Sequence, residues 1–188
     1  MNDLSMHILD IIQNSLSAGA SVIELDVCED VKNNLLAIAI KDNGKGMTPE
    51  QVAQVTDPFF TSRTTRKVGM GLPLYRQTAE QSGGALKVES ETGVGTTVAA
   101  TFVYDHIDRP PTGDLANAVV LMMSANPDHL FKFTYKYNDK SYSIDTREIN
   151  EALDGMPIHD VQVINMIQQI IEDNMAALRE SETTGSTL

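Results

Sequence analysis

Polar side chains recur along one side of the first helix that the sequence predicts. At intervals of three, four and three residues they form a stripe of His7, Asp10, Asn14 and Ser17. Asn and Asp are poor residues for a helix interior, so their presence there needs a reason. An amide oxygen such as that of Asn14 suits a hard cation such as Mg²⁺, and the Asp10 carboxylate can orient or deprotonate a water or hydroxyl. The stripe alone leaves two interpretations open, a solvent-exposed face and a functional site.

Short glycine motifs follow in the first half, namely Gly44-Lys45-Gly46, Gly69-Met70-Gly71 and Gly93-Val94-Gly95. Glycine lets the backbone approach a ligand closely or adopt a positive φ, although most glycines only form turns. The P-loop pattern is absent, and none of the motifs has the third glycine of a dinucleotide fingerprint. A nucleotide site in this chain would therefore be neither a P-loop nor a Rossmann site.

The elements that would position these residues follow from hydrophobic periodicity and turn signals. Leu4, Ile8 and Ile11 keep helical spacing within a predicted helix 3–18. Clusters of β-branched and aliphatic residues predict strands at 22–28, 35–41, 85–90 and 96–104. Further helices are expected from Thr48 onward and over 72–81, with a loop of charged and small residues at 57–69.

The second half has a different pattern. Pro110-Pro111 indicates a linker over 105–113, after a first domain of residues 1–104. Residues 114–180 are expected to form a small α+β domain, and residues 181–188 a flexible tail. We predict strands at 118–123, 131–137 and 142–144, a short helix capped by Asp145 with Glu148 as its capping-box partner, and a helix at 159–178.

The composition limits the class of function. The chain of 188 residues carries a formal net charge of −12, which argues against a general nucleic-acid binder. A single cysteine excludes an internal disulfide framework. The sequence contains no run of about 18 apolar residues, the length that a membrane span needs. The N-terminus does not resemble a signal peptide, so a cytoplasmic location is expected.

Five motifs that occur in a fixed order favour a functional site over a solvent-exposed face as the interpretation of the polar stripe on the first helix. They are Asp10-x3-Asn14, Asp42-Asn43-Gly44-Lys45-Gly46-Met47, Asp57-Pro58-Phe59-Phe60-Thr61-Ser62-Arg63, Gly69-Met70-Gly71-Leu72, and Gly93-Val94-Gly95-Thr96. Over residues 4–103 the chain resembles the Bergerat-type ATP-binding domain of the GHKL superfamily, most closely the catalytic domain of histidine kinases. The resemblance implies a two-layer α/β sandwich, a mixed sheet with helices on one face.

The resemblance also assigns roles to residues. Asp10 matches the acidic catalytic position, with a side chain one methylene shorter than the usual glutamate, and Asn14 matches the Mg²⁺ ligand. Asp42 matches the aspartate that accepts from the adenine amino group, between the pocket glycines Gly44 and Gly46 and beside Thr96. The remaining ATP-binding positions belong to the lid and the helix after it, namely Phe60, Arg63, Lys67, Gly69, Gly71 and Leu72. From the residues themselves, Arg63, Arg66 and Lys67 are the tight basic cluster of this acidic chain, suited to clamp phosphate charge.

Two classes of function follow. The first is a Mg²⁺-dependent, histidine-kinase-like ATPase or phosphotransferase, and we expect it to act in trans on a separate protein because we expect no phosphoacceptor domain before the predicted first helix. The second is a nucleotide-gated protein-binding module with little or no catalysis. Small proteins that resemble this chain also accompany hydrogenase subunits in anaerobic bacteria, which implies a regulatory or assembly partner. We expect ATP and a protein as partners, a homodimer as one open possibility, and neither nucleic acid nor membrane.

Overall fold

A computed structural model describes residues 3–57, 59 and 71–183 of the chain. Along the described sequence the elements are α1 (Leu4–Ser17), β1 (Val22–Asp30), β2 (Leu35–Asp42), α2 (Pro49–Thr56), α3 (Gly71–Gln81), β3 (Ala85–Glu91), β4 (Gly95–Val103), α4 (Leu115–Ala125), β5 (Leu130–Tyr137), β6 (Lys140–Asp145), α5 (Thr146–Leu153) and α6 (Val161–Thr183). The capping box predicted at Asp145 and Glu148 is present at the start of α5.

The strands form one mixed sheet in the order β3-β4-β2-β1-β5-β6. The pairing of β1 with β5 is parallel and aligns Leu25 with Phe133, whereas the other neighbouring pairs are antiparallel. Antiparallel pairing of β1 with β2 also aligns Leu25 with Ile40. The α+β architecture with a mixed sheet is therefore confirmed.

One face of this sheet is buried and the other is open. Because side chains alternate along a strand, the buried set consists of every second residue, including Leu25, Val27, Ile38, Val98, Phe102 and Phe133. Helices α1, α3, α4 and α6 contact one another or these strands on that side. On the opposite face, residues such as Asp26 and Lys132 are exposed. The core thus lies between one sheet face and one helix layer.

The strand predicted over 118–123 is wrong, because these residues lie within the helix α4. Asp114 caps this helix by accepting from the Asn117 amide at 2.9 Å. Its buried residues are Leu115, Ala116, Ala118, Val119, Val120 and Met123, since α4 packs against α1, α6 and β5. Burial on several sides makes the apolar run almost continuous, and a short continuous run does not distinguish a strand from a buried helix.

The C-terminal elements extend the sheet begun by the N-terminal ones, through the pairing of β5 with β1. The predicted linker 105–113 packs against the start of α1, where the Leu4 amide donates to the Pro111 carbonyl at 2.9 Å. The division into a first domain of residues 1–104 and a small α+β domain of residues 114–180 stays a prediction.

A buried carboxylate joins α6 to the sheet. The side chain of Glu29 in β1 is 4% exposed, and its Oε1 lies 2.8 Å from Nη2 of Arg179 in α6. The Tyr104 hydroxyl donates to its Oε2 at 3.2 Å, and Arg179 Nε donates to the Tyr135 hydroxyl at 2.8 Å. Burial of a carboxylate is costly without such partners, so these contacts offset its desolvation.

Candidate functional site

Asp42 ends β2 with both carboxylate oxygens engaged. The Ser15 hydroxyl of α1 lies 2.6 Å from Oδ2, and the Gly44 amide donates to Oδ1 at 2.8 Å. Ser15 is buried, whereas Asp42 is half-buried. The carboxylate is therefore held between a helix and its own loop while part of its surface stays accessible. The predicted base-reading residue is oriented by the protein itself.

The loop after Asp42 is wedged between α1 and the hairpin that joins β3 and β4. The Lys45 amide donates to the Ala18 carbonyl at 2.9 Å, and the Lys45 carbonyl accepts from the Gly93 amide at 2.7 Å. Gly46 has a φ of +67°, and a Cβ there would lie 1.9 Å from the Glu91 carbonyl oxygen. Because backbone blocks that position, glycine is required at 46 for space as well as for conformation.

Thr96 lies beside Asp42, since the two are paired across β4 and β2. Its hydroxyl lies 2.7 Å from the hydroxyl of Ser90, which also accepts from the Met47 amide at 2.8 Å. The structure thus brings Thr96 to the predicted adenine position, with its hydroxyl engaged by Ser90.

Asp10 lies against the first residue of α3. A Cβ built on Gly71 would fall 1.7 Å from Asp10 Oδ2, which means that the carboxylate occupies the space a side chain would need. The φ of Gly71 is not positive, so a larger residue there would displace the Asp10 carboxylate without straining the backbone. Two predicted site residues that are 61 positions apart in sequence therefore meet, at the helix end whose dipole favours negative charge.

Asn14 lies between these two contacts along α1. Its side chain is half-buried and makes no hydrogen bond within residues 3–57, 59 and 71–183. No group of three His, Cys, Asp or Glu residues suited to a metal occurs in that part of the chain. Mg²⁺ is commonly held by one or two protein oxygens together with substrate phosphates and waters. A half-buried amide oxygen without a hydrogen-bond partner in the described part of the chain therefore fits one protein ligand of this ion.

His7 is not part of an accessible stripe. It is 2% exposed and stacks on the Tyr75 ring of α3, with ring centroids 4.8 Å apart and planes 19° from parallel. Its Nε2 lies 3.4 Å from the Thr78 hydroxyl. Burial, followed by the charge of the N-terminus, lowers the pKa of His7 below its ordinary value. His7 therefore packs α1 against α3 as a neutral ring.

Part of the predicted site lies outside the described residues, namely Phe60, Arg63, Arg66, Lys67 and Gly69. Phe59 is described and is 90% exposed. Leu72 is buried in the apolar core. Its assignment as an ATP contact, like the others, stays a prediction.

Sequence reasoning missed two residues that shape this site. Ser15 contacts Asp42, and its signal was its position next to Asn14, one turn after the buried Ile11. Asn43 holds the end of β2 to the start of β1, because its Oδ1 accepts from the amides of Ser21 and Val22, both at 2.9 Å. Its type, between an aspartate and a glycine, indicated only a turn.

The structure is an α+β domain in which residues of α1 contact Asp42 at the end of β2 and Gly71 at the start of α3, through Ser15 and Asp10 respectively. The family model "Histidine kinase-, DNA gyrase B-, and HSP90-like ATPase" matches residues 2–106, more than half of the chain. The chain belongs to this family. Its predicted membership of the GHKL superfamily, closest to the histidine-kinase type, is confirmed.

Curated relatives each match about half of the chain. The "Non-motile and phage-resistance protein" of Caulobacter vibrioides is 29% identical over 59% of this chain and 14% of its own length. "Sporulation kinase C" of Bacillus subtilis is 30% identical over 50% of this chain and 22% of its own length. "Histidine protein kinase SaeS" of Staphylococcus epidermidis is 32% identical over 49% of this chain and 28% of its own length. The chain thus spans less than a third of each of these relatives.

A solved structure with a similar chain is the Aquifex aeolicus MutL ATPase domain complexed with ADP. It is 17% identical, with a TM-score of 0.49, over 82% of this chain and 70% of that chain. Within the described residues, no helix is long and apolar enough to cross a membrane.

Proposed function

We propose that this chain binds Mg²⁺-ATP and uses Asp10 to promote attack on the terminal phosphate. It would act as a histidine-kinase-like ATPase or phosphotransferase on a separate protein, in a regulatory role. The family membership supports the ATP site, whereas Mg²⁺, the reaction and the protein substrate are parts of the proposal.

The observation that carries this proposal is the order of contacts along α1. Ser15 touches the base-reading Asp42 and Asp10 touches Gly71 at the start of α3. With a rise of about 1.5 Å per residue, Asp10 and Ser15 are separated by roughly 7.5 Å along the helix axis. An ATP with its base at Asp42 and its phosphates toward Gly71 would run alongside α1, with Asn14 between the two ends.

The chemistry of each group fits this order. Bound Mg²⁺ would neutralise phosphate charge, held on the protein side by the Asn14 amide oxygen. Amides at the start of α3 favour a phosphate, and the basic cluster Arg63, Arg66 and Lys67 would add positive charge from the segment before it. Asp10 would accept the proton of the attacking water or acceptor group, because its carboxylate lies against Gly71 at the helix start where we propose that the phosphates bind.

Calorimetric titration of Mg²⁺-ATP into the full chain, followed by single-turnover phosphate release, tests this proposal. Asp42→Asn should abolish binding, because an amide nitrogen facing the adenine amino group replaces an acceptor by a donor. Asp10→Asn should bind ATP and lose turnover. Asp26→Asn, an exposed carboxylate on the open sheet face, is the matched control and should change neither. Undiminished binding by Asp42→Asn would refute the adenine assignment.

The packing of α1 supports a second candidate, the nucleotide-gated binding module. α1, the helix that carries Asp10 and Asn14, contacts α4, and β1 pairs with β5, so C-terminal elements pack directly on the N-terminal ones. ATP binding would then change a surface that a partner, including one of a redox or hydrogenase system, recognises. Tight ATP binding with no Asp10-dependent release would favour this candidate. A protein partner in trans, a homodimer and a cytoplasmic location stay predictions.

A further inference from the structure

We propose that Ser15 is a positioning residue that holds the Asp42 carboxylate toward the base and so sets selectivity for adenine over 6-oxo purines. The inference rests on the proposed function, since it concerns the same nucleotide site. It assigns a role to a residue outside the motif positions that carry the family resemblance.

The Ser15 hydroxyl has one proton and two acceptors within reach. Asp42 Oδ2 lies 2.6 Å away, whereas the Ile11 carbonyl oxygen of the preceding turn lies 3.3 Å away. Hydrogen bonds to an ionised carboxylate are shorter and stronger than those to a neutral carbonyl. The proton therefore goes to Asp42, and because Ser15 is 4% exposed, water does not compete for it freely.

Two donors from different elements fix the plane of the carboxylate. Ser15 of α1 holds Oδ2, and the Gly44 amide holds Oδ1 at 2.8 Å. Each carboxylate oxygen accepts more than one hydrogen bond, so the adenine amino group still finds an acceptor. Removal of the Ser15 hydroxyl would leave one donor, and the carboxylate could then turn about its Cβ–Cγ bond.

Thr96 does not provide this hydroxyl. Although it is the strand partner of Asp42, its Oγ1 lies 2.7 Å from Ser90 Oγ. Among the described residues, Ser15 is the side chain that donates to Asp42. The orientation of the base-reading carboxylate thus depends on α1, the helix that also carries Asp10 and Asn14.

The orientation of the carboxylate affects both the affinity for adenine and the selectivity against 6-oxo purines. A fixed carboxylate attracts the 6-amino group of adenine and repels the 6-carbonyl group of hypoxanthine, because both interactions need the same geometry. A carboxylate that can rotate turns away from the carbonyl and loses part of both effects. The ratio of the dissociation constants for ITP and ATP should therefore report the Ser15 hydrogen bond.

The test compares Mg²⁺-ATP and Mg²⁺-ITP binding by calorimetry in the full-length wild type, Ser15→Ala and Ser17→Ala. Ser17 is the matched control, since its hydroxyl donates to the Gln13 carbonyl at 2.9 Å on the same helix and is exposed. Ser15→Ala should weaken ATP binding about tenfold, because a carboxylate that can rotate loses much of its hydrogen bond to the adenine amino group. Binding of ITP should stay within about twofold of wild type, so that the ratio shrinks, and Ser17→Ala should change neither.

An unchanged ratio in Ser15→Ala, or equal weakening of both nucleotides, would overturn the inference while leaving the ATP site intact. Absence of ATP binding in the wild type would overturn the proposed function as well. Urea unfolding of each variant establishes that it is folded. If the alanine variant is unfolded, Ser15→Cys replaces it in the test, because its thiol is a weaker donor than the hydroxyl. This variant should also lower the ratio of the dissociation constants for ITP and ATP.

Discussion

The contact between Asp10 and Gly71 yields a sharp prediction for Gly71→Ala. The new Cβ would lie 1.7 Å from Asp10 Oδ2. A carbon and an oxygen approach to about 3.3 Å, so the carboxylate oxygen must move by roughly 1.6 Å. The obstacle is the end of a side chain and φ at 71 is not positive, so the fold tolerates the change. Stability should stay within about 1 kcal/mol of wild type.

Turnover should respond far more strongly than stability. A misplacement of about 1 Å in a catalytic group can reduce the rate on the order of 100-fold. We therefore expect Gly71→Ala to lower single-turnover phosphate release by about that factor, while the urea midpoint changes little. Rapid-quench measurement of phosphate release from Mg²⁺-ATP at saturating protein separates this step from binding.

A double-mutant cycle with Asp10→Asn tests the cause. If Gly71→Ala acts by displacing the carboxylate, it should lower turnover in the wild-type background and add nothing to Asp10→Asn. Full additivity of the two changes would refute the reasoning and indicate that Gly71 acts through its own backbone amide. Turnover equal to wild type would show that the position of the carboxylate is unimportant. Gly93→Ala, where a Cβ meets nothing within 4 Å but φ is +80°, measures the cost of backbone strain alone.

Two further changes test the packing around the site. Burial lowers the pKa of His7, so the unfolded chain binds more protons and the free energy of unfolding should fall as the pH drops below about 6.5. His7→Phe should reduce this dependence of stability on pH, measured by urea unfolding at several pH values, whereas the exposed control His159→Phe should not. A pH dependence of His7→Phe equal to that of wild type would contradict the assignment. Arg179→Met should destabilise the fold by about 2 kcal/mol, because Glu29 stays buried without its cation. Arg147→Met, at an exposed arginine, is the control and should have little effect. Equal urea midpoints for the two variants would argue against a stabilising role for the ion pair of Glu29 and Arg179.

Local patterns were sufficient to predict much of the N-terminal part. The apolar spacing of Leu4, Ile8 and Ile11 determines α1, and the alternation in β1 and β2 determines which strand residues are buried. These features depend on period and on nearby residues, which the sequence displays directly. For the same reason the predicted positions of Asp10, Asn14 and Asp42 on a helix and at a strand end agree with the structure.

Other features depend on what packs against them. His7 shares the helical spacing of Asp10 and Asn14, yet Tyr75 of α3 buries it. The run at 118–123 is helical because α1, α6 and β5 surround it, and periodicity fades when several sides of a helix are buried. The parallel pairing of β1 with β5 joins residues more than 100 positions apart, and a strand pattern carries no information about its partner.

By itself the sequence determined which groups are available for chemistry, and their order along one helix, because residue type and helical period are local properties. Tertiary structure alone decided which groups meet. Asp10 lies against Gly71 and Ser15 against Asp42 because α3 and β2 pack on α1 at particular points. Those contacts arise from burial of the shared apolar core, which brings distant segments together without leaving a signal at the polar residues it aligns.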